Sequence, residues 1–158
     1  MIDARLSALP IGIPNVRTPL DGVVTAGQPT AAQFDALARS GVKTVVDLRA
    51  ANEPRGYDEP AAAARAGVEY HNIPVTGGAI APGDFAAVRT LLRAEGNRPM
   101  LVHCASANRV GAALIPYLVL DQGRTREDAL RIAREVGLRS DEMARAAFAY
   151  IDDPAGAA

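Results

Sequence analysis

One segment of the sequence places a cysteine and an arginine where both can act on an oxyanion. The mostly apolar run Met100–His103 predicts a buried strand, Cys104 follows it directly, and Arg109 lies in the first turn of a predicted helix. The amides at the start of a helix and a nearby guanidinium both favour the thiolate, which is the nucleophilic form of a cysteine. The same groups can hold a tetrahedral oxyanion, which a guanidinium binds through two hydrogen bonds. The segment therefore predicts an anion-binding loop with Cys104 and Arg109 as its catalytic residues.

The residues around this pair would form the substrate-binding part of the loop. We expect an anion to be bound by the backbone amides of Ala105, Ser106, Ala107, Asn108 and Val110. The Ser106 hydroxyl could donate to the anion as well, or hydrogen-bond the backbone of the tight loop instead. His103 precedes Cys104 on the strand, so its side chain points to the opposite face and is expected to order the loop from behind.

A metal site and a purely structural cysteine are the alternative interpretations of this segment. Zinc takes four protein ligands, or three and a water, and only His71, His103 and Cys104 could supply nitrogen or sulfur. We therefore expect no metal and no other cofactor. A lone cysteine can be a small buried hydrophobic residue, but the strand, the tight loop and the arginine around Cys104 favour a reactive thiol.

Short apolar strands alternate with helices along the chain. Strands are predicted at 23–25, 42–48, 68–75 and 100–103, and helices at 30–41, 60–67, 84–96, 109–122, 125–136 and 140–151. This alternation favours an α/β fold with a mostly parallel central sheet of four to five strands, flanked by helices on both faces. Ligands bind at the carboxyl ends of the strands in such sheets, which is where Cys104 lies. In the helix after it, Pro116 predicts a kink and Gly111 close packing of the helix on the sheet.

The length of 158 residues suits a single domain, and a composition with 49% hydrophobic and 22% charged residues is ordinary for a globular one. We expect residues 1–20, which contain three prolines, to form an extended arm packed on the domain. Residues 21–151 would form the domain itself. Residues 152–158 are expected to be a disordered tail.

Charge and hydropathy exclude several kinds of partner. The formal net charge of −1 provides no positive field for nucleic acid. No apolar run is long enough to span a membrane, and the beginning of the chain, with Asp3, does not resemble a signal peptide. A single cysteine permits no internal disulfide. We therefore expect a cytoplasmic protein without nucleic-acid or membrane partners.

Four motifs occur in an order that resembles a known family. They are Ala26-Gly27-Gln28-Pro29-Thr30, Val45-Val46-Asp47-Leu48-Arg49 with Glu53, Ile73-Pro74-Val75, and His103-Cys104 with Arg109. Over about residues 20–120 the chain resembles the cysteine-dependent phosphatases, the dual-specificity and tyrosine phosphatase superfamily, and most closely the bacterial beta-lactamase-hydrolase-like (DUF442) subgroup. The resemblance implies a phosphatase-like fold for residues 21–151 and a phosphocysteine intermediate on Cys104, with Arg109 binding the phosphoryl group. It implies a phosphorylated protein or a small phosphate monoester as substrate.

The loop departs from the pattern of that superfamily in three ways. Four residues separate Cys104 from Arg109, where five are usual. Ala107 stands where the subgroup often has glycine, and a positive φ costs an alanine about 1 kcal/mol; Asn108 could take the left-handed conformation instead. Val110 stands where a serine or threonine usually donates a hydroxyl to the departing thiolate.

The general acid of many relatives follows the strand that ends at Ile73-Pro74-Val75, but Thr76-Gly77-Gly78 stands there in this chain. Asp84 could move toward Cys104 from beyond that loop, although it is better explained as a helix N-cap. Asp47 lies at the end of a strand and could instead hydrogen-bond loop amides or pair with Arg49. Glu53 and Arg55 belong to a polar loop that could rim the pocket or simply be solvated.

Two other functions therefore stay open beside a phosphatase. A catalytically weak pseudo-phosphatase that binds phosphate would account for the missing acid, Val110 and the glycine-free loop. A rhodanese-like sulfurtransferase would pass a persulfide from Cys104, and a spacing of four residues before the arginine suits its short loop.

Overall fold

The computed structural model describes residues 12–76 and 79–154. Its strands are β1 (Arg17–Leu20), β2 (Val23–Ala26), β3 (Thr44–Arg49), β4 (Glu69–Val75) and β5 (Met100–His103). They form a five-stranded sheet in the order β1-β2-β5-β3-β4, in which only the β1–β2 pair is antiparallel. The predicted mostly parallel sheet of four to five strands is confirmed.

Helices cover both faces of the sheet, as predicted. They are α1 (Ala31–Arg39), α2 (Glu59–Ala66), α3 (Pro82–Arg93), α4 (Asn108–Pro116), α5 (Arg126–Val136) and α6 (Asp141–Asp152). On one face, α1 and α2 bury Phe34, Leu37, Ala62 and Ala63 against the strands. On the other face, α3 to α6 form the larger core, which includes Cys104. None of the helices in the described parts of the chain has the length and apolar character that a membrane crossing requires.

Local sequence signals explain where several helices begin. The Gln33 amide donates to Thr30 Oγ1 at 3.3 Å and the Thr30 amide donates to Gln33 Oε1 at 2.8 Å, which is the expected capping box of α1. Helix α2 begins one residue before Pro60, because the Asp58 side chain accepts from the Ala61 amide. It ends at Gly67, whose φ of 75° suits a residue without Cβ.

One local prediction needs correction, and the break predicted at Pro116 takes a specific form. Asp84 is not the N-cap of α3, because the helix begins at Pro82, a favourable first helical residue, and Asp84 occupies the third position. From there its Oδ2 accepts from the Ala81 amide at 3.0 Å. Helix α4 ends at Pro116 and continues as a π-helical turn over Tyr117–Asp121, which accounts for the break expected at a residue without an N–H.

The ends of the chain are described only in part. Residues 17–20 of the predicted arm form strand β1, while residues 1–11 lie outside the described residues. Asp152 belongs to α6, and residues 155–158 of the predicted tail lie outside the described residues, as do Gly77 and Gly78. The division into an arm, a domain and a tail stays a prediction.

Candidate active site

The central strand of the sheet carries the cysteine to its carboxyl edge. Strand β5 lies between β2 and β3, and all four of its residues are buried. Cys104 follows it and is 1% exposed, and its amide donates to the Ala26 carbonyl at 3.3 Å. Cys104 belongs to the core beneath α3 to α6, on the opposite face of the sheet from α1 and α2. The thiol thus lies at the carboxyl edge of the strands, as the sequence predicts.

We call residues 104–109 the cysteine loop. Three consecutive carbonyls of this loop are bound by groups that lie outside it. The acceptors and donors are Cys104 O with His103 Nδ1 (3.2 Å), Ala105 O with the Gln28 amide (3.2 Å), and Ser106 O with Asn15 Nδ2 (2.9 Å). In a trans peptide the carbonyl and the following amide point in opposite directions. The amides of residues 105–107 therefore point away from these partners and are available to a common anion.

The start of α4 supplies further donors to the same loop. The first amides of a helix, here those of Asn108, Arg109 and Val110, have no intrahelical acceptor. Ala107 is the N-cap and takes the left-handed conformation, with φ 70° and ψ 3°. The strain thus falls on Ala107 and not on Asn108, because Asn108 is already the first helical residue. Its Oδ1 instead accepts from the Arg139 amide at 2.7 Å and from the Ser140 amide at 3.3 Å.

Glu53 holds the side chain of Arg109. Arg109 Nη1 donates to Glu53 Oε2 at 2.8 Å and Nη2 donates to Oε1 at 3.0 Å, while Nη1 also donates to the Val75 carbonyl at 3.3 Å. The Nε hydrogen and one Nη2 hydrogen remain on the side edge of the guanidinium, which is the arrangement that binds an oxyanion through two hydrogen bonds. The sequence leaves Glu53 either at the rim of the pocket or solvated, and it does not predict this contact with Arg109.

The contact also fixes the charge of both groups. The Arg109 hydrogen bonds, with a smaller contribution from the Ala50 amide, lower the pKa of Glu53 from 4.5 to about 2. The Glu53 hydrogen bonds raise the pKa of Arg109, and the nearby Cys104 raises it further. Glu53 is therefore a carboxylate at neutral pH and has no proton to give to a leaving group.

A buried polar cluster lies behind the loop, on the face covered by α1 and α2. His103 Nε2 lies 2.5 Å from Glu59 Oε2, and its Nδ1 supports the Cys104 carbonyl, so His103 orders the loop from behind as expected. Arg55 Nη2 donates to Asp47 Oδ2 at 2.6 Å, and Arg55 Nε lies 3.4 Å from Glu59 Oε1.

Asp47 belongs to this cluster and not to the pocket of Cys104. It pairs in register with His103 and is fully buried, and its Oδ1 accepts from the Arg49 amide at 2.9 Å. The hydroxyl of Tyr70 donates to its Oδ2 at 2.6 Å. The suggestion that Asp47 is a general acid is therefore wrong, because the sheet separates its carboxyl group from the thiol. The alternative roles expected from the sequence also need correction, because the amide that Asp47 binds belongs to Arg49 at the end of β3 and not to a loop, and its ion-pair partner is Arg55 and not Arg49.

The cluster has the ligand types of a metal site but not its charge. Asp47, Glu59 and His103 each offer one ligand atom, and these atoms lie within 4.8 Å of one another. Arg55 already binds both carboxylates, so a guanidinium supplies the positive charge that a metal ion would bring. His71, the remaining ligand type considered from the sequence, lies instead beside Glu69 on strand β4 at 3.4 Å.

Ser106 and Val110 complete the predicted residues. Ser106 Oγ accepts from Arg139 Nη2 at 3.1 Å, so the serine is bound to a side chain that sequence reasoning did not consider. Val110 lies in the first turn of α4 and its side chain is fully buried. Its backbone amide is therefore the only group that it offers to an anion. Arg139 had no local sequence signal, since it follows α5 and reaches the loop only through the packing of α5 and α6.

A parallel sheet that carries a cysteine into a tight loop, closed by an arginine at a helix start, defines the class of cysteine-dependent phosphatases. A family model described as "DSP-PTPase phosphatase fused to NAD+ Kinase" matches residues 21–149. The chain belongs to this family, and the resemblance inferred from the sequence motifs is confirmed.

Individual proteins agree with this assignment. The chain is 36% identical over 110 residues to the beta-lactamase hydrolase-like protein of Xylella fastidiosa strain Temecula1, covering 65% of this chain but 24% of that protein. It thus spans about a quarter of the length of this curated relative. A DUF442 protein of Shewanella putrefaciens CN-32 has the same fold, with a TM-score of 0.74, 22% identity, and 89% and 93% of the two chains covered. TpbA of P. aeruginosa gives a TM-score of 0.67 at 26% identity, with 94% and 91% covered.

Proposed function

We propose that this chain hydrolyses phosphate monoesters, with Cys104 as the nucleophile and Arg109 as the group that binds the phosphoryl oxygens. The observation that carries the proposal is the orientation of the cysteine loop. Hydrogen bonds from His103, Gln28 and Asn15 hold its carbonyls, so consecutive amides point to the opposite side of the loop, where an anion could bind them together. Backbone donors held in this way stabilise the negative charge of a phosphoryl group without reorganising during the reaction.

The reaction takes two displacements. The Cys104 thiolate attacks phosphorus, the S–P bond forms, and the P–O bond to the leaving group breaks. A water molecule then attacks the phosphocysteine, the P–S bond breaks, and the thiolate is regenerated with release of phosphate. In both steps the side edge of the Arg109 guanidinium binds two phosphoryl oxygens while its other edge stays on Glu53.

The substrate class follows from the groups around the loop. A variant of TpbA, which is 27% identical to this chain, has been solved in complex with phosphotyrosine. An aryl phosphate, on a protein or as a small ester, suits a site whose candidate carboxyl groups are already engaged, because an aryl oxide departs without a proton more readily than an alkoxide. General acid catalysis is typically worth about 10²- to 10⁴-fold. We therefore expect activated aryl phosphates to be turned over and alkyl phosphates hardly at all.

A function in phosphate binding alone is the second candidate. The left-handed conformation of Ala107, at φ 70°, stores strain in the loop, and Val110 has no hydroxyl for the departing thiolate. Both features slow catalysis without preventing an anion from binding. A pseudo-phosphatase would use the same loop and Arg109 to recognise a phosphorylated partner.

Phosphate release from p-nitrophenyl phosphate, measured together with vanadate affinity, tests the proposal. We expect turnover by the wild type, none by Cys104→Ser, and at least about tenfold weaker vanadate binding by Arg109→Lys, because lysine cannot form the two-pronged contact. Arg65→Lys, on the exposed end of α2, is the matched control and should change neither quantity.

Each other outcome identifies a different function. Turnover that survives Cys104→Ser would contradict the proposal. Anion binding that depends on Arg109 without any turnover would support the pseudo-phosphatase. Thiocyanate formed from thiosulfate and cyanide, with no phosphate release, would assign the chain to the sulfurtransferases.

A further inference from the structure

Arg139 brings a second guanidinium to the cysteine loop, besides that of Arg109. Its backbone amide donates to Asn108 Oδ1 at 2.7 Å, and its Nη2 donates to Ser106 Oγ at 3.1 Å. These contacts attach both the backbone and the end of the side chain to the loop, although the residue itself is exposed. The guanidinium of Arg139 therefore lies at the solvent-facing edge of the loop in which a phosphoryl group would bind.

Arg139 differs from the other arginines at this edge of the sheet in its charge balance. Those are paired with carboxylates: Arg109 and Arg49 with Glu53, and Arg55 with Asp47 and Glu59. Within residues 12–76 and 79–154, Arg139 forms no ion pair, and its guanidinium bonds only to a neutral hydroxyl. The neighbouring acidic side chains, Asp141 and Glu142 in the first turn of α6, do not pair with it. Its remaining donors are available to an anion that approaches from solvent.

The carboxyl groups considered as a general acid are all engaged elsewhere, and this favours leaving groups that can depart without a proton. Asp47 faces the other side of the sheet, Asp84 accepts from the Ala81 amide, and the low pKa of Glu53, about 2, keeps it ionised. An alkoxide is strongly basic and departs slowly without a proton. A phosphate leaving group is far less basic, since its second ionisation has a pKa of about 6, and it departs as a stable dianion.

Because the cation at the rim suits a phosphate leaving group, and Asp47, Asp84 and Glu53 are each engaged elsewhere, we propose that the preferred substrates are phosphoric anhydrides whose second phosphate binds Arg139. This inference rests on the function proposed above. The Cys104 thiolate forms the S–P bond to the terminal phosphorus, and the bridging P–O bond breaks, leaving its electron pair on the second phosphate. That phosphate, which carries an ester group or one proton of its own, departs as a dianion and takes no proton from the protein. Water then cleaves the phosphocysteine, which regenerates the thiolate and releases phosphate as H₂PO₄⁻.

Two substrates and two arginine variants test the proposal. We would measure kcat/KM for inorganic pyrophosphate and for p-nitrophenyl phosphate, without divalent cations, in the wild type, Arg139→Ala and Arg65→Ala. The Arg139→Ala variant should lose at least about tenfold on pyrophosphate, the effect of one charge-assisted hydrogen bond, and a clearly smaller factor on the aryl ester. Arg65 lies at the far end of α2, toward the other edge of the sheet, so its loss removes the same charge without affecting either substrate.

An equal loss on both substrates, or no loss on pyrophosphate, would overturn the assignment of Arg139. Turnover of the aryl ester that still requires Cys104 would at the same time leave the phosphatase proposal intact. If no substrate is turned over, the proposed function fails, and the role of Arg139 is then tested by the affinities for two non-hydrolysable ligands. Binding of methylenediphosphonate should then weaken about tenfold in Arg139→Ala and binding of phenylphosphonate much less, whereas equal weakening would contradict the inference.

Discussion

The contact between Glu53 and Arg109 determines what the guanidinium can do. Without Glu53, the long arginine side chain would have several rotamers available beside the loop, and ordering it would cost free energy on each binding event. Two hydrogen bonds to Glu53 and one to the Val75 carbonyl remove that freedom in advance. Glu53 is therefore a positioning residue for the anion site.

The depressed pKa of Glu53 predicts how stability depends on pH. Its pKa is about 2 in the folded protein against an ordinary value of 4.5, so the ionised form stabilises the fold above about pH 4.5. That contribution is lost as the pH falls toward 2, because the folded protein must then take up the proton. We expect the free energy of unfolding of Glu53→Gln to lie below that of the wild type at pH 7, and the gap to shrink between pH 4.5 and pH 2.

Urea unfolding at a series of pH values measures this gap. Glu95→Gln, at an exposed carboxylate in the turn after α3, is the control. A gap for Glu53→Gln that stays constant down to pH 2.5, a value just above the Glu53 pKa of about 2, would show that the carboxylate is not stabilised by Arg109.

The left-handed conformation of Ala107 predicts how substitutions at this buried position affect stability. Ala107→Gly relieves about 1 kcal/mol of backbone strain but gives the unfolded chain more freedom, so the free energy of unfolding should change by less than about 1 kcal/mol. Ala107→Val adds a β-branched side chain at a φ of 70° and should destabilise by more than about 2 kcal/mol. Urea unfolding of both variants checks the order, and equal effects would mean that the strain does not lie at Ala107.

At the scale of the elements, Gly111 sets the distance between α4 and α5. A Cβ built on Gly111 would lie 2.6 Å from the Ala133 carbonyl oxygen and 2.9 Å from Leu138 Cβ. The sequence analysis assigned this glycine to packing of the helix on the sheet, but the close approach is between two helices. The start of α4, which carries Arg109, is thereby fixed against α5 and against the connection that carries Arg139.

Gly111→Ala should therefore destabilise the protein by about 1–3 kcal/mol, because a backbone carbonyl cannot move aside as a flexible side chain can. Gly83, in the first turn of α3, has open space around its Cβ position and no positive φ, which makes Gly83→Ala the matched control. The control should be neutral or stabilising, as alanine favours helix. Thermal unfolding of both variants distinguishes the clash from a general effect of removing glycine.

Elements with a strong local signal were predictable from the sequence, and elements defined by a partner were not. The Thr30 capping box and the buried strand before Cys104 depend on neighbouring residues alone, and both occur as predicted. The sequence predicts an extended arm over β1, because Pro19 interrupts the strand pattern and two further prolines precede it, and the segment becomes a strand only by pairing with β2. Asp84 is a good N-cap by type, but Pro82 starts the helix two residues earlier.

At the scale of the whole molecule, the candidate site also combines features with a local sequence signal and features that depend on distant partners. Cys104 and Arg109 could be proposed from their spacing, since one loop carries both. The partners that orient the loop come from distant segments: Asn15 is 91 residues from Ser106, Glu53 is 56 from Arg109, and Arg139 is 33 from Ser106. Such contacts depend on the packing of the complete fold, and a single sequence has no local pattern for them.

The central position of β5 has a kinetic consequence for the whole chain. Strand β5 forms its ladders with β2 and β3, which precede it by many residues, and closing such long loops costs entropy before any contact compensates for it. Helices can form early during refolding, whereas the cysteine loop must wait for strands and arginine partners from both ends of the chain. In stopped-flow refolding, vanadate binding should therefore appear with the slowest phase, after most of the far-ultraviolet circular dichroism has recovered. Vanadate binding that recovers with the earliest helical signal would show that the loop forms before the sheet closes around it.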